Sequence, residues 1–157
     1  KFDSSYLSTG HCIVLVTPDG ERTMNTYLGV TEFLSKDDLN LNILQNCSWL
    51  YLEGYRYDGM DSQKAFEIAI NHSKKGGGKV ALSLSDPFCV KRHRTKFINI
   101  MNNGVDLVFC NEQELISLTN QIDLYTALKS KARNWRNLEN NLNPNDMYIH
   151  LDIHIVL

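Results

Sequence analysis

Val105-Asp106-Leu107-Val108-Phe109-Cys110-Asn111-Glu112-Gln113-Glu114 reads as a short apolar strand that hands over directly to a helix start. Its apolar run is continuous rather than alternating, the mark of a strand covered on both faces. Two earlier runs have the same character: Cys47-Ser48-Trp49-Leu50-Tyr51-Leu52, ended by Glu53-Gly54, and Lys79-Val80-Ala81-Leu82-Ser83-Leu84. Helical patterns separate them. Asp61 is placed to cap a helix whose apolar face is Ala65, Phe66, Ile68 and Ala69, and which stops at Gly76-Gly77-Gly78. A basic helix is expected from about Val90 to Asn103, ended by Gly104, and a short one from Glu112 to Leu118. Upstream, Ser35 followed three residues later by Asp38 resembles a capping box, with Leu39, Ile43 and Leu44 on one helical face. Strands alternating with helices require crossovers, so the pattern predicts a three-layer α/β sandwich around a mostly parallel sheet, helices on both sides. Ligands in such sheets gather beyond the carboxyl ends of the strands, here marked by Glu53, Asp86, and Asn111 with Glu114.

The first thirty residues follow a different rule. His11-Cys12-Ile13-Val14-Leu15-Val16 is β-branched and apolar, Thr17-Pro18-Asp19-Gly20-Glu21 is turn chemistry, and Arg22 to Tyr27 supplies a second strand. A hairpin over residues 1–30, separate from an α/β unit over 31–157, is the expected division. The 157 residues, 43% apolar and 22% charged, suffice for one domain with a real core. A net charge of −2 argues against general binding to nucleic acid or an anionic membrane surface. No apolar run is long enough to span a bilayer, and no signal-peptide pattern opens the chain, so a cytoplasmic location is expected. The four cysteines form no C-x-x-C pair. Three of them, Cys12, Cys47 and Cys110, lie in or beside β-like runs and are expected to be buried free thiols. The chain opens at Lys1 rather than Met, so a piece of something longer is expected. Ile122 to Arg133 has a helical pattern, Asn134 to Asn145 is rich in asparagine, and Tyr148 to Leu157 alternates as a strand.

Several clusters invite chemistry. Lys75-Gly76-Gly77-Gly78-Lys79 has the composition of a phosphate loop, but its glycines follow a helix and precede a strand, the reverse of what phosphate binding needs. A helix C-cap is the better reading. His150, Asp152 and His154 share one strand face at ligand-like spacing, yet the polar face of a half-exposed strand accounts for them, and no zinc is expected. Lys91, Arg92, His93, Arg94 and Lys96 read as a solvated helix face more readily than as an anion site. Asn111 and Glu114, three apart on one helical face, admit two readings. Glu114 is a good first-turn residue near a helix dipole, or the pair organises Mg²⁺ and its waters beside a phosphate.

Thr9-Gly10-His11-Cys12-Ile13-Val14-Leu15-Val16-Thr17-Pro18-Asp19-Gly20-Glu21-Arg22-Thr23-Met24 resembles the lid segment of the ribokinase-like (PfkB) sugar and nucleoside kinases, most of all their adenosine-kinase-like bacterial branch. Tyr51-Leu52-Glu53-Gly54-Tyr55, Leu84-Ser85-Asp86-Pro87-Phe88 and Asp106 to Glu114 follow in that family's order and spacing. The resemblance runs from about Thr9 to Leu118. It implies ATP as co-substrate, Mg²⁺, and a sugar or nucleoside acceptor phosphorylated on a hydroxymethyl group. It also implies that Asn111 and Glu114, matching the N-x-x-E element, organise magnesium and phosphate. Glu53 falls near the substrate and anion path, and Phe88 matches an aromatic that stacks on the base in adenosine kinases.

The family's early glycine-pair motif and its late D-T-x-G-A-G-D motif, which carries the catalytic base and an anion hole, have no counterpart here. The resemblance fades after about Thr119, and the asparagine-rich stretch looks like foreign sequence, as after a frameshift. The expectation is a central fragment or truncated product, inactive alone and with no catalytic residue of its own. The alternative is a non-catalytic binding module that forms a homodimer through its lid hairpin.

Overall fold

The computed structural model describes residues 7–129 and, as backbone, the strand Tyr148–Leu151. Strands β1 (Thr9–Val16) and β2 (Arg22–Gly29) form an antiparallel two-stranded sheet of their own, with Val14 opposite Met24 and Val16 opposite Arg22. The turn between them is closed by Thr17 and Glu21, whose backbones meet at 3.0 Å. Cys12 lies exposed in this hairpin, contrary to the burial expected of it, because among the described residues no layer covers this two-stranded sheet.

The second sheet is parallel, in the order β3 (Trp49–Glu53), β4 (Lys79–Ser83), β5 (Leu107–Cys110), β6 (Tyr148–Leu151). Helix α2 (Met60–Lys75) crosses from β3 to β4, and α3 (Pro87–Asn102) from β4 to β5. Helix α4 (Glu112–Thr119) follows β5. This is the α/β alternation read from the apolar runs. Strands joined in sequential order by right-handed crossovers place their helices on the same side. One core therefore unites Leu52, Val80, Leu82, Leu84, Val108 and Cys110 of the sheet with Phe66 and Ile70 of α2, Val90 and Phe97 of α3, and Leu115 of α4. The opposite parity of β3 carries Trp49 and Tyr51, 51% and 57% exposed. Among the described residues, the cover expected on both faces of that strand is present on one.

Local details depart from the sequence reading where a nearby side chain offers a better cap. The helix expected after Ser35 is split. Ser35 and Asp38 do form a capping box, but on a 3-10 turn, Lys36–Asp38. The Asn40 side chain then accepts from the Ile43 N–H at 3.1 Å and starts α1 (Leu41–Asn46) afresh. Asp61 is not the cap of α2 but lies in its first turn; Gly59 takes the cap position, while Ser62 Oγ donates to the Leu34 carbonyl at 3.0 Å. Helix α3 starts three residues earlier than expected, with Asp86 as N-cap and Pro87 in its first turn. The glycine run behaves as read. Gly78 N–H reaches Ser73 O at 2.9 Å and Gly77 N–H reaches Lys74 O at 3.1 Å, a Schellman closure with Gly77 at φ 83°.

The basic cluster of α3 is largely the solvated face expected, with Lys91, Arg92 and Lys96 exposed, but four of its residues also tether the helix to its neighbours. Arg92 Nη2 and His93 Nε2 meet the Asp58 carboxylate at 2.9 and 2.6 Å, Arg94 Nε donates to Leu118 O at 2.8 Å, and Lys96 Nζ to Gln63 Oε1 at 2.7 Å. These bonds tie α3 to α2, to α4 and to the 3-10 turn Gly54–Asp58 that follows β3. Residues 124–129 are helical, with Asp123 accepting from the Thr126 N–H at 2.9 Å, so the helix expected from Ile122 is seen over that stretch. The remainder of the expected Ile122–Arg133 helix, the asparagine-rich segment and the side chains of the His150, Asp152 and His154 face lie outside the described residues.

Candidate functional site

Parallel pairing brings the carboxyl ends of three strands to one edge of the sheet: Glu53 lies opposite Ser83, and Ser83 opposite Phe109. The polar residues just beyond these ends are Glu53, Ser85, Asp86, Asn111 and Glu114, so the topology collects the three positions that the sequence marked.

Glu53 is half-buried and held on both oxygens. Tyr51 OH donates to Oε2 at 3.0 Å, and Ser85 Oγ donates to Oε1. The same Ser85 oxygen accepts the Tyr55 N–H at 3.0 Å, linking the end of β3 to the end of β4.

At β5 the Asn111 side chain accepts from Glu114 N–H at 2.9 Å, while Glu114 Oε2 accepts from Asn111 N–H at 3.0 Å and Oε1 from Asn111 Nδ2 at 2.8 Å. Glu114 is 5% exposed. The pair is a reciprocal capping box, which satisfies two otherwise orphan donors of α4 and fixes a carboxylate at the positive end of the helix. A carboxylate so buried and so fixed suits ordering the water shell of Mg²⁺ better than direct coordination, since Mg²⁺ keeps most of its waters and takes one or two carboxylates.

Asp86 caps α3 through the Phe88 and Cys89 N–H groups, the latter at 2.8 Å. Tyr55 sits among these acids; burial first, then its hydrogen bond to Asp86 and the charges of Asp86 and Glu114, push its phenol well above the usual range. Burial also pushes the Cys89 thiol up to about 12, and its sulfur rests 3.4 Å from Gly54 O, so it is a packing group and not a nucleophile. Phe88 is 70% exposed in the first turn of α3, with Lys91 Nζ 5.6 Å from its ring centre. Its ring is therefore carried by the helix start rather than standing free beyond the strand. Among the described residues, no three His, Cys, Asp or Glu side chains are grouped to hold a metal ion directly, and no helix is long and apolar enough to cross a membrane.

Sequence reasoning found Glu53, Asp86, Asn111 and Glu114 from their places at strand ends. It missed Ser85, Tyr51 and Tyr55. No periodicity marks them, because their roles come from contacts between strands. The adjacent Asp86-Pro87 pair did carry a readable signal, an N-cap residue followed by proline.

A parallel sheet with acidic and amide groups gathered at its carboxyl edge, plus an antiparallel hairpin, defines an α/β protein of the kind whose ligands as a rule gather at the strand ends. The comparisons narrow the class. The family model of the pfkB family carbohydrate kinases matches residues 4–137. The chain belongs to that family. It is 26% identical over 132 residues to the guanosine-inosine kinase of Escherichia coli K12, covering 82% of this chain and 30% of that relative. Among solved structures, the adenosine kinase from Sinorhizobium meliloti is 34% identical with a TM-score of 0.77, over 92% of this chain and 42% of that one. A probable sugar kinase from Rhizobium etli is 36% identical with a TM-score of 0.74, over 79% of this chain and 38% of that one. The architecture is thus ribokinase-like. The chain spans less than half the length of these relatives.

Proposed function

We propose that this chain is the central part of an ATP-dependent kinase that phosphorylates a hydroxymethyl group of a sugar or, more specifically, of a nucleoside such as adenosine. The observation that carries the reading is the Asn111–Glu114 capping box, which sets a buried carboxylate and an amide at a helix N-terminus on the same sheet edge as Glu53. In-line phosphoryl transfer needs metal-bridged phosphates, donors facing the developing charge, and a base on the acceptor hydroxyl. Asn111 and Glu114 are assigned to the hydration shell of Mg²⁺ beside the ATP phosphates, and Glu53 and Phe88 to the wall facing the acceptor. Residues 1–30 are assigned to a lid and 31–157 to part of the kinase core. Base and anion hole carry most of the rate in such a reaction, and no residue of this chain is assigned to either. Turnover by the chain alone is therefore negligible, and robust phosphorylation of adenosine or ribose by the purified 157-residue protein would overturn that part.

The metal assignment is tested by thermal shift. Mg²⁺ alone leaves the midpoint unchanged, and Mg²⁺ with ATP raises it by at most about 2 °C, the gain for a site near half saturation. Each variant is read against its own unliganded midpoint, because both lie in the first turn of α4. Glu114→Gln removes the nucleotide-dependent shift and Glu112→Gln, on an exposed face, keeps it. Equal shifts in both would reduce the motif to a helix cap.

A second reading is favoured by one observation. Ile13 and Leu15 on one face of the hairpin, and Val16 and Met24 on the other, are between 60% and 66% exposed, and a second copy would cover the Ile13–Leu15 face. On this reading the chain associates through β1 and β2. The apparent mass in size-exclusion chromatography rises with concentration, and the double variant Ile13→Glu, Leu15→Glu stays monomeric. A parent that elutes as a monomer at every concentration rules this reading out.

A further inference from the structure

The backbone at Ser85 is the unusual feature of the sheet edge. Its φ is +72°, and the Asp86 N–H reaches back to Leu84 O at 2.9 Å across this single residue. A hydrogen bond from i+2 to i with positive φ is a γ-turn of the rare, strained kind, and serine gains nothing from that region that glycine would not. Strain of this sort persists where its surroundings over-determine it. Here they do. Leu84 is fully buried and its N–H is bound to Phe109 O at 3.0 Å, while Asp86 is committed to capping α3. Across the gap, a Cβ on Gly54 would lie 2.6 Å from Ser83 O and 2.8 Å from Ser85 Oγ, so the end of β3 is pressed against this turn.

What the turn achieves is the aim of one hydroxyl. Ser85 Oγ accepts from Tyr55 N–H and donates to Glu53 Oε1, and Tyr51 OH occupies Oε2. Glutamate has three rotatable side-chain bonds. One donor on each oxygen restricts the orientations open to its carboxylate.

We propose that Ser85 is a positioning residue, retained in a strained turn in order to hold Glu53 in the orientation that meets the acceptor's hydroxyls; this rests on the assignment of Glu53 to the acceptor wall. Glycine at position 85 would relax the turn and remove the hydroxyl together, so stability and positioning separate.

The test uses the full chain with ¹³C-labelled glutamate and ¹⁵N-labelled backbone. In Ser85→Gly the thermal midpoint holds or rises, while the Glu53 ¹³Cδ resonance moves toward that of a freely rotating glutamate. The Tyr55 amide then exchanges at least tenfold faster. Ser85→Ala, which keeps the strain without the hydroxyl, shows the same two spectral changes with a lowered midpoint. Unchanged Glu53 and Tyr55 signals in Ser85→Gly would overturn the positioning role, whatever the ligand does. In the second arm, adenosine is titrated into the parent and into Ser85→Gly. A Glu53 response in the parent, weakened at least tenfold in apparent affinity in the variant, supports the proposal. A parent whose Glu53 does not respond to adenosine or ribose overturns the acceptor-wall assignment, and the free-protein spectra still decide whether Ser85 orients the carboxylate.

Discussion

Phe97→Ala is expected to destabilise the protein by about 3–5 kcal/mol, the range for truncating a buried phenylalanine. The side chain is fully buried in the core beneath α3. Its ring lies 5.2 Å from that of Tyr57 and 6.0 Å from that of His93. Tyr57 belongs to the 3-10 turn that begins one residue after Glu53, and Asp58 at its end is held by Arg92 and His93. Loss of Phe97 therefore removes packing under the segment that leads away from the candidate site, besides leaving a cavity. A whole domain is stable by about 5–15 kcal/mol, so the midpoint of urea unfolding should fall by about a fifth or more. A loss below about 1 kcal/mol would mean that Tyr57 and His93 close over the gap and that this part of the core is soft.

Asp106→Ala is expected to cost roughly 2–4 kcal/mol. Its carboxylate is 2.7 Å from Lys74 Nζ through both oxygens and accepts the Val80 N–H at 2.6 Å, and the residue is 8% exposed. Three elements meet there: the last turn of α2, the start of β4 and the residue before β5. Alanine leaves a buried N–H and an ammonium without their partner, which is why the cost exceeds that of an exposed ion pair. Asp106→Asn keeps an acceptor for Val80 and loses only the charge, so it should cost about half as much by urea unfolding at neutral pH. Equal costs for the two variants would show that the charge, rather than the hydrogen bond to β4, is the dominant contribution.

Much of this organisation is legible in the sequence. Continuous apolar runs at 79–84 and 105–110 and the helical patterns between them encode the α/β alternation, because side-chain period is a property of the local backbone. The C-cap at Gly76-Gly77-Gly78 and the helix start at Asn111 are similarly local: every bond that makes them spans at most five residues. Element boundaries were less legible where two capping residues compete. Asn40 interrupts the helix expected from Ser35, and Asp86-Pro87 begins α3 ahead of Val90, because the bond that wins is the one whose side chain has the better reach.

The sequence by itself therefore determined the order of the strands and of the longer helices, the hairpin, the family, and the strand-end positions Glu53, Asp86, Asn111 and Glu114. Only the tertiary structure decided what those positions are bound to. The partners of Glu53 include Ser85, 32 residues away, and Asp58 is held by Arg92 and His93 from 34 and 35 residues away. Tertiary structure also decided that Trp49 and Tyr51 lie exposed while Leu52 is buried, although all three belong to one apolar run. Period and capping act over one or two turns of chain. Which charge meets which, and which face of a strand is covered, depend on how the crossovers lay distant segments against one another.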